Sequence, residues 1–262
     1  MKSTYSGEKT QDIKSSAIGR EITFAGKKWL VADIDSEGVT LMWHDEAPAA
    51  VKIHSAASGE WASSELRNSL NTTFLEELKA ADPAIMSKLI QVVNKGESKT
   101  VSGALSQFAD SQDYVWLASA SQVFGVENID SDTLLGKAGS GALVAGSLKM
   151  IDSRGGRQLQ LFTNRTIGEI KEYFKPYCVA FAAGGNVEIN SWLRSSDAAR
   201  SNAYMSVSIS SGSMTDLQIN VATSWQFSYA PFIKVKLNAL GDEVTFAGKK
   251  WLVADIDARA SP

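Results

Sequence analysis

The sequence predicts an α+β fold of antiparallel strands, and three observations carry that prediction. Strand-like runs open the chain, amphipathic stretches occupy its middle, and strand-like runs close it. That is the order of an α+β domain rather than the alternation of a parallel one. Short Gly- and Ser-containing turns separate the runs, as antiparallel pairing requires. The third observation is a repeat: residues 21–35 read EITFAGKKWLVADID and residues 243–257 read EVTFAGKKWLVADID. Extended upstream at the same offset, residues 13–35 and 235–257 agree at 17 of 23 positions. A repeat of that length marks where a folding unit begins, and so where the unit between the copies ends. The chain divides accordingly into a flexible arm (residues 1–12), a single α+β domain (residues 13–240) and a partial repeat of the opening β-hairpin (residues 241–262).

Taken in order, Glu21 to Phe24 is a short β run, Ala25-Gly26 a turn, and Lys28 to Ile34 a second run. Ser36-Glu37-Gly38 turns again into Val39 to Trp43, completing a three-strand meander. The second copy lacks the third strand. A helix is expected at about 63–80: Ser63 or Ser64 can cap it, and Leu66, Leu70, Phe74, Leu75 and Leu78 share one face. Asp82-Pro83 opens a short helix, with proline at the first helical position. Ile90 to Val93 reads as a strand, 94–113 as a polar loop, and Tyr114 to Ala118 as a strand. Residues 125–160 are rich in Gly, Ser and Asp and read as a long insertion. Thr166 to Phe174 reads as a short amphipathic helix, which brings the expected helices to two or three. Alternation over 191–215, then Leu217 to Val221 and Phe232 to Leu237, completes an antiparallel set.

The bulk numbers exclude several function classes. A net charge of −3 and the absence of any basic run argue against nucleic acid as the main partner. The single cysteine, Cys178, cannot form an intramolecular disulfide. Its apolar neighbours make it a small buried hydrophobe, and a catalytic thiol would need one of only two histidines, His44 and His54. Met1 to Ser16 is polar, with no apolar core of a signal peptide, and no apolar run approaches the ~18 residues of a membrane span. The expectation is synthesis in the cytoplasm without a signal peptide and without membrane insertion.

Few constellations carry chemistry. His44-Asp45-Glu46 with His54 offers metal-ligand types, but at a strand end and without helical spacing, so a solvated loop is the plainer reading. Asp130-Ser131-Asp132 could offer oxygens to calcium but lacks the glycine and closing glutamate of an EF-hand loop. Gly139-Ser140-Gly141 and Gly184-Gly185 lack the strand-to-helix setting of a phosphate cradle, and no G-x-S-x-G elbow occurs. No catalytic residue, metal ligand or cofactor is assigned. The seven tryptophans belong to the core by default. Trp225 differs, lying among polar residues in Thr223 to Tyr229, as an aromatic in a recognition loop would.

Four motifs resemble a known family. They are Gly-x-x-Ile-x-Phe-x-Gly-x-x-Trp at 19–29, Trp61-Ala-Ser-Ser-Glu-Leu-Arg-Asn-Ser-Leu-Asn71 followed by Phe74, Val115-Trp116-Leu117-Ala118-Ser119, and Ser191-Trp192-Leu193-Arg194-Ser195-Ser196. In that order they are similar to domain-of-unknown-function family 6273, found in Firmicutes and their phages, over about 13–240. The resemblance implies a C-type-lectin-like module, as in formylglycine-generating enzymes and phage variable tropism proteins. The chain departs from the family pattern at Ser191 and Ser196, where tryptophan and proline are usual. Tyr229-Ala230-Pro231-Phe232 replaces the usual late Gly-Val-Arg-Pro stretch. Formylglycine-generating chemistry needs paired cysteines, which a single cysteine rules out, and the lectin calcium motif is absent. The resemblance makes Trp29, Trp61, Arg67, Asn71, Trp192 and Arg194 structural motif residues, with each arginine a clamp on a buried carboxylate or carbonyls.

The function expected is that of a non-enzymatic binding or structural module, a phage virion-associated protein of tail or capsid surface. Its expected partners are other virion or surface proteins and a cell-surface glycan. Segment 191–230, with the Ser, Tyr and Trp of adaptable binding loops, is the expected exposed face, with Trp192, Arg194, Tyr204, Trp225 and Tyr229 as ligand contacts. Phe246, Trp251 and Leu252 of the second hairpin are expected at an interface, with 243–257 standing in for 21–35 of a neighbouring copy and linking chains head to tail. The alternatives are a hydrolase-type enzyme with its site in loops 125–160, and a retroelement-diversified receptor binder.

Overall fold

The computed structural model describes residues 17–55, 59–101, 104–125, 153–183, 186–197, 200–208, 217–221, 225–237, 244–246 and 249–251. It is a mixed α+β fold built on antiparallel sheets, with four helical stretches among the described residues.

The chain opens as the meander expected: β1 (Glu21–Phe24), β2 (Lys27–Ile34) and β3 (Gly38–Trp43). The β1–β2 turn has positive φ at both Ala25 (49°) and Gly26 (68°), as a two-residue hairpin matched to strand twist demands. Trp29 from β2 is fully buried, stands edge-on to Trp43 at 5.1 Å and donates its indole N–H to the Phe24 carbonyl at 3.0 Å.

The long helix is α1 (Glu65–Ser69), a π-turn (Leu70–Phe74) and α2 (Leu75–Ala81) end to end. Ser64 caps it, its hydroxyl accepting from the Arg67 backbone N–H at 3.2 Å. Leu66, Leu70, Leu75 and Leu78 are buried, and Phe74 packs on Trp43 at 5.1 Å. The π-turn lies where side chains compete for the helix carbonyls: Asn71 donates to Arg67 O and Thr72 to Asn68 O. A short α3 (Ile85–Lys88) follows Pro83.

Next come β4 (Leu89–Ile90), β5 (Val92–Asn94), β6 (Ser98–Val101), β7 (Ala104–Gln107), β8 (Ser111–Asp113) and β9 (Val115–Leu117). The expectation of a polar loop over 94–113 is corrected here. β6 pairs with β7, and β8 with β5; a two-stranded ladder between polar residues shows no long apolar alternation to be read. The expected two to three helices also become four, through α4 (Ala120–Phe124). Ser119 and Gln122 form a reciprocal capping box around its first turn.

Most of the expected 125–160 insertion, together with Asp130-Ser131-Asp132 and Gly139-Ser140-Gly141, lies outside the described residues, as do Gly184-Gly185 and the 1–12 arm. After it, α5 (Ile167–Phe174) carries its own capping box, Thr166 with Glu169. Then follow β10 (Val179–Ala183), β11 (Asn186–Asp197), β12 (Arg200–Ser208), β13 (Leu217–Val221), β14 (Ser228–Tyr229), β15 (Pro231–Lys236), β16 (Val244–Phe246) and β17 (Lys249–Trp251).

Two sheets organise these strands. The first runs β1-β2-β3-β15-β4, with β9 also paired to β15, so a late strand closes the sheet that the first strands began. The second runs β10-β11-β12-β13, with β14 beside β11. Both sheets contribute to one continuous core that includes Trp29, Trp116, Phe162, Phe174, Trp192, Tyr204, Phe227 and Phe232. β16 and β17 pair by themselves in the register of β1 and β2: Val244↔Trp251 corresponds to Ile22↔Trp29, and Phe246↔Lys249 to Phe24↔Lys27. The backbone of β16 lies beside β1.

Candidate functional site

The family-like motif at 61–71 converges on one carboxylate. Helix α1 presents Arg67, the π-turn that continues it presents Asn71 four residues on, and β8 presents Asp113, which is fully buried. Asp113 Oδ1 accepts from Arg67 Nε at 2.5 Å, while Oδ2 accepts from Asn94 Nδ2 and Ser111 Oγ at 2.7 Å and from Trp61 Nε1 at 3.1 Å. The rest of the guanidinium donates to the carbonyls of Ala62 at 2.8 Å and Gln112 at 3.1 Å. Asn71 acts as a piece of backbone. Its oxygen accepts from the N–H groups of Tyr114 and Val115 and its amide donates to Val115 O, which fixes the start of β9. Every oxygen of Asp113 is thus engaged by donors. A carboxylate so surrounded holds elements together.

The second motif is built in β11. Trp192 is buried and donates to Val51 O at 2.8 Å, with Phe227 and Tyr204 against its ring at 4.7 and 6.4 Å. Arg194 is 3% exposed. It donates to Gly155 O at 2.6 Å and faces Glu97 at 3.8 Å. Burial holds its guanidinium below the ordinary range, against the opposing pull of Glu97 and Asp113. Ser195 donates to Glu97 at 2.9 Å and accepts from the Ala120 N–H at 2.8 Å, and Ser196 donates to Gly59 O. Ser119, the α4 cap, also donates to Gly155 O, at 2.7 Å. The motif therefore ties β11 to α4 and to the chain returning from the insertion. Arg194 Nε, Tyr204 Oη, Trp116 Nε1 and Ser191 Oγ are buried and have no hydrogen-bond partner among the described residues.

This burial departs from the expected exposed face. Trp192, Arg194 and Tyr204 are inside, because β11 is covered on both faces, every residue from Asn190 to Ser196 being buried. Trp225 and Tyr229 are half-buried, Trp225 against Phe227 at 5.8 Å, and they are the ligand-contact candidates that keep surface. Trp29 and Trp61 lie in the core, and Arg67 keeps about a quarter of its side chain exposed. Nothing is described for the side chains of Phe246 and Trp251, and Leu252 lies outside the described residues.

Among the described residues no three His, Cys, Asp or Glu side chains gather as metal ligands would. His44 faces Glu21 at 3.5 Å. Burial pushes the Cys178 thiol up to about 12, so it carries almost no thiolate at neutral pH. Among the described residues no helix is long and apolar enough to cross a membrane. Sequence reasoning missed Asp113, Glu97, Asn94 and Ser111. Arg194, buried, and Arg67, partly buried, each call for an acid partner, yet nothing in the sequence says which acid.

Compared with known proteins, residues 37–225 match one family model, described as a domain of unknown function (DUF6273). No curated protein and no solved structure matches the chain.

Proposed function

We propose that this chain, which belongs to the DUF6273 family, is a non-enzymatic binding or structural module. The observation that carries the reading is the fate of the motif residues. Trp61, Ser64, Arg67 and Asn71 spend their polar groups on Asp113 and the backbone, and Arg194, Ser195 and Ser196 spend theirs on Glu97, Gly155 and Gly59. Residues that recognise a ligand or move a proton keep a donor or acceptor turned outward; these turn inward. The α+β antiparallel architecture supports the finer assignment, a C-type-lectin-like module. On this reading it is virion-associated, of tail or capsid-surface type, and meets a cell-surface glycan or protein. The half-buried Trp225 and Tyr229 are the aromatic platform available to it, since such rings pair an apolar face with a polar edge.

A glycan-array screen of the full chain tests the proposal, with Trp225→Ala as the paired variant and bound metal and turnover of glycosidic and ester substrates measured alongside. Glycan binding lost in Trp225→Ala, without turnover, is the expected result. Turnover, with or without stoichiometric metal, would overturn it.

A further inference from the structure

We propose that residues 21–35 and residues 243–257 compete within one chain for a single position, giving the protein two interchangeable folded forms. In the structure the first copy fills that position, with Ile22, Phe24, Trp29, Leu30, Val31 and Ala32 buried. What holds it there comes from outside both copies. Trp43 packs on Trp29. His44 N donates to Lys28 O at 2.9 Å, Leu161 N to Ala32 O at 2.9 Å, and Arg157 to both oxygens of Asp33, at 3.1 Å for Nη1. At the same offset the second copy supplies Trp251, Lys250, Ala254 and Asp255. The bond from Trp29 to Phe24 O is internal to the hairpin, so Trp251 and Phe246 carry its equivalent with them. β16 and β17 already hold the register of β1 and β2. β15 ends at Lys236 and β16 begins beside β1, so the intervening chain is long enough to bring the second copy to this edge.

The two copies differ little, and two of the differences explain why the first is the occupant. Val244 replaces the buried Ile22, a methylene smaller. Arg259 stands where Glu37 pairs with Lys234 at 2.7 Å, so the second copy exchanges an ion pair for like charges. Competition within the chain is favoured over exchange between chains. Exchange between chains makes no contact that one chain lacks and pays the association entropy, whereas a short tether holds the second copy at millimolar effective concentration.

Urea unfolding of the full chain, followed by far-UV circular dichroism, tests this with Trp29→Ala, Trp251→Ala and the double variant. Trp251→Ala is expected to leave the midpoint where it is. Trp29→Ala is expected to lower it by less than half the shift of the double variant, because Trp251 takes the vacated place. In the Trp29→Ala background, Asp255→Asn lowers the midpoint further, through the lost partner of Arg157; in the wild-type background it does not. All midpoints hold over a roughly tenfold range of protein concentration. The proposal is overturned if Trp29→Ala shifts the midpoint as far as the double variant or fails to fold. It is overturned equally if the Trp29→Ala midpoint rises with protein concentration, which would mean exchange between chains.

Discussion

Arg67 and Arg194 come from two motifs of one family and meet two different fates. Arg67 keeps part of its side chain at the surface and bonds a carboxylate whose other donors are Trp61, Asn94 and Ser111. Arg194 is sealed in, sits 3.8 Å from Glu97 and has no hydrogen-bond partner for Nε among the described residues. The difference teaches that burial and worth are separate properties of an ion pair. A charge taken from water repays its desolvation only when its hydrogen bonds are complete. The Asp113 cluster is complete and organises three elements; the Arg194 cluster is incomplete and fixes β11 in place at a cost.

The largest expected effect is at the hub of the complete cluster. Asp113→Ala strands Arg67, Trp61, Asn94 and Ser111 together and should cost about 3–5 kcal/mol in urea unfolding. A loss below about 1 kcal/mol would show that the cluster is ornamental. The next test sets the two clusters against each other by removing both charges from each. Arg194→Met with Glu97→Gln should be tolerated within about 1.5 kcal/mol, because desolvation is relieved as bonds are lost. Arg67→Met with Asp113→Asn should still cost about 3 kcal/mol, because Trp61, Asn94 and Ser111 retain an impaired acceptor. Equal costs would erase the distinction.

Much of this was legible beforehand, and the reasons differ by region. Leu66, Leu70, Leu75 and Leu78 repeat at helical spacing, so the helix that carries Arg67 and Asn71 could be read from periodicity, and its cap from Ser64. The Ala25-Gly26 and Ser36-Glu37-Gly38 turns between short β runs gave away the meander. Asp113 was hidden because its arginine is 46 residues distant and its strand is three polar residues long, without period. Helix α4 was hidden because five residues are too few to show one. Tyr204 and Trp192 were assigned to the surface because serine-rich alternation looks the same whichever face the sheet covers.

Two smaller effects sharpen the comparison. Ser64→Ala removes the cap that aligns α1 behind Arg67 and should cost about 1 kcal/mol, a cost that Ser63→Ala should not share. A third ion cluster, nearer the surface, extends the series. Burial would raise the Asp35 carboxyl, but hydrogen bonds from Lys234 and from the N–H groups of Gly38 and Glu37 outweigh it and hold it below its ordinary range. A depressed carboxyl contributes stability that is present above the unfolded value of 3.8 and is lost as pH falls through the lower folded value. Lys234→Met should therefore flatten the stability loss below that pH, by a small margin at this exposure. An unchanged acid limb would place the dependence elsewhere.

The central claim is that the family's motif residues are scaffold, joined through Asp113. A double-mutant cycle on Arg67→Met and Asp113→Asn, read by urea unfolding, tests it most directly. The account predicts that each single variant is strongly destabilised and that the double loses less than their sum, by about 1–3 kcal/mol. Single variants within about 0.5 kcal/mol of the wild type, or costs that simply add, would contradict it.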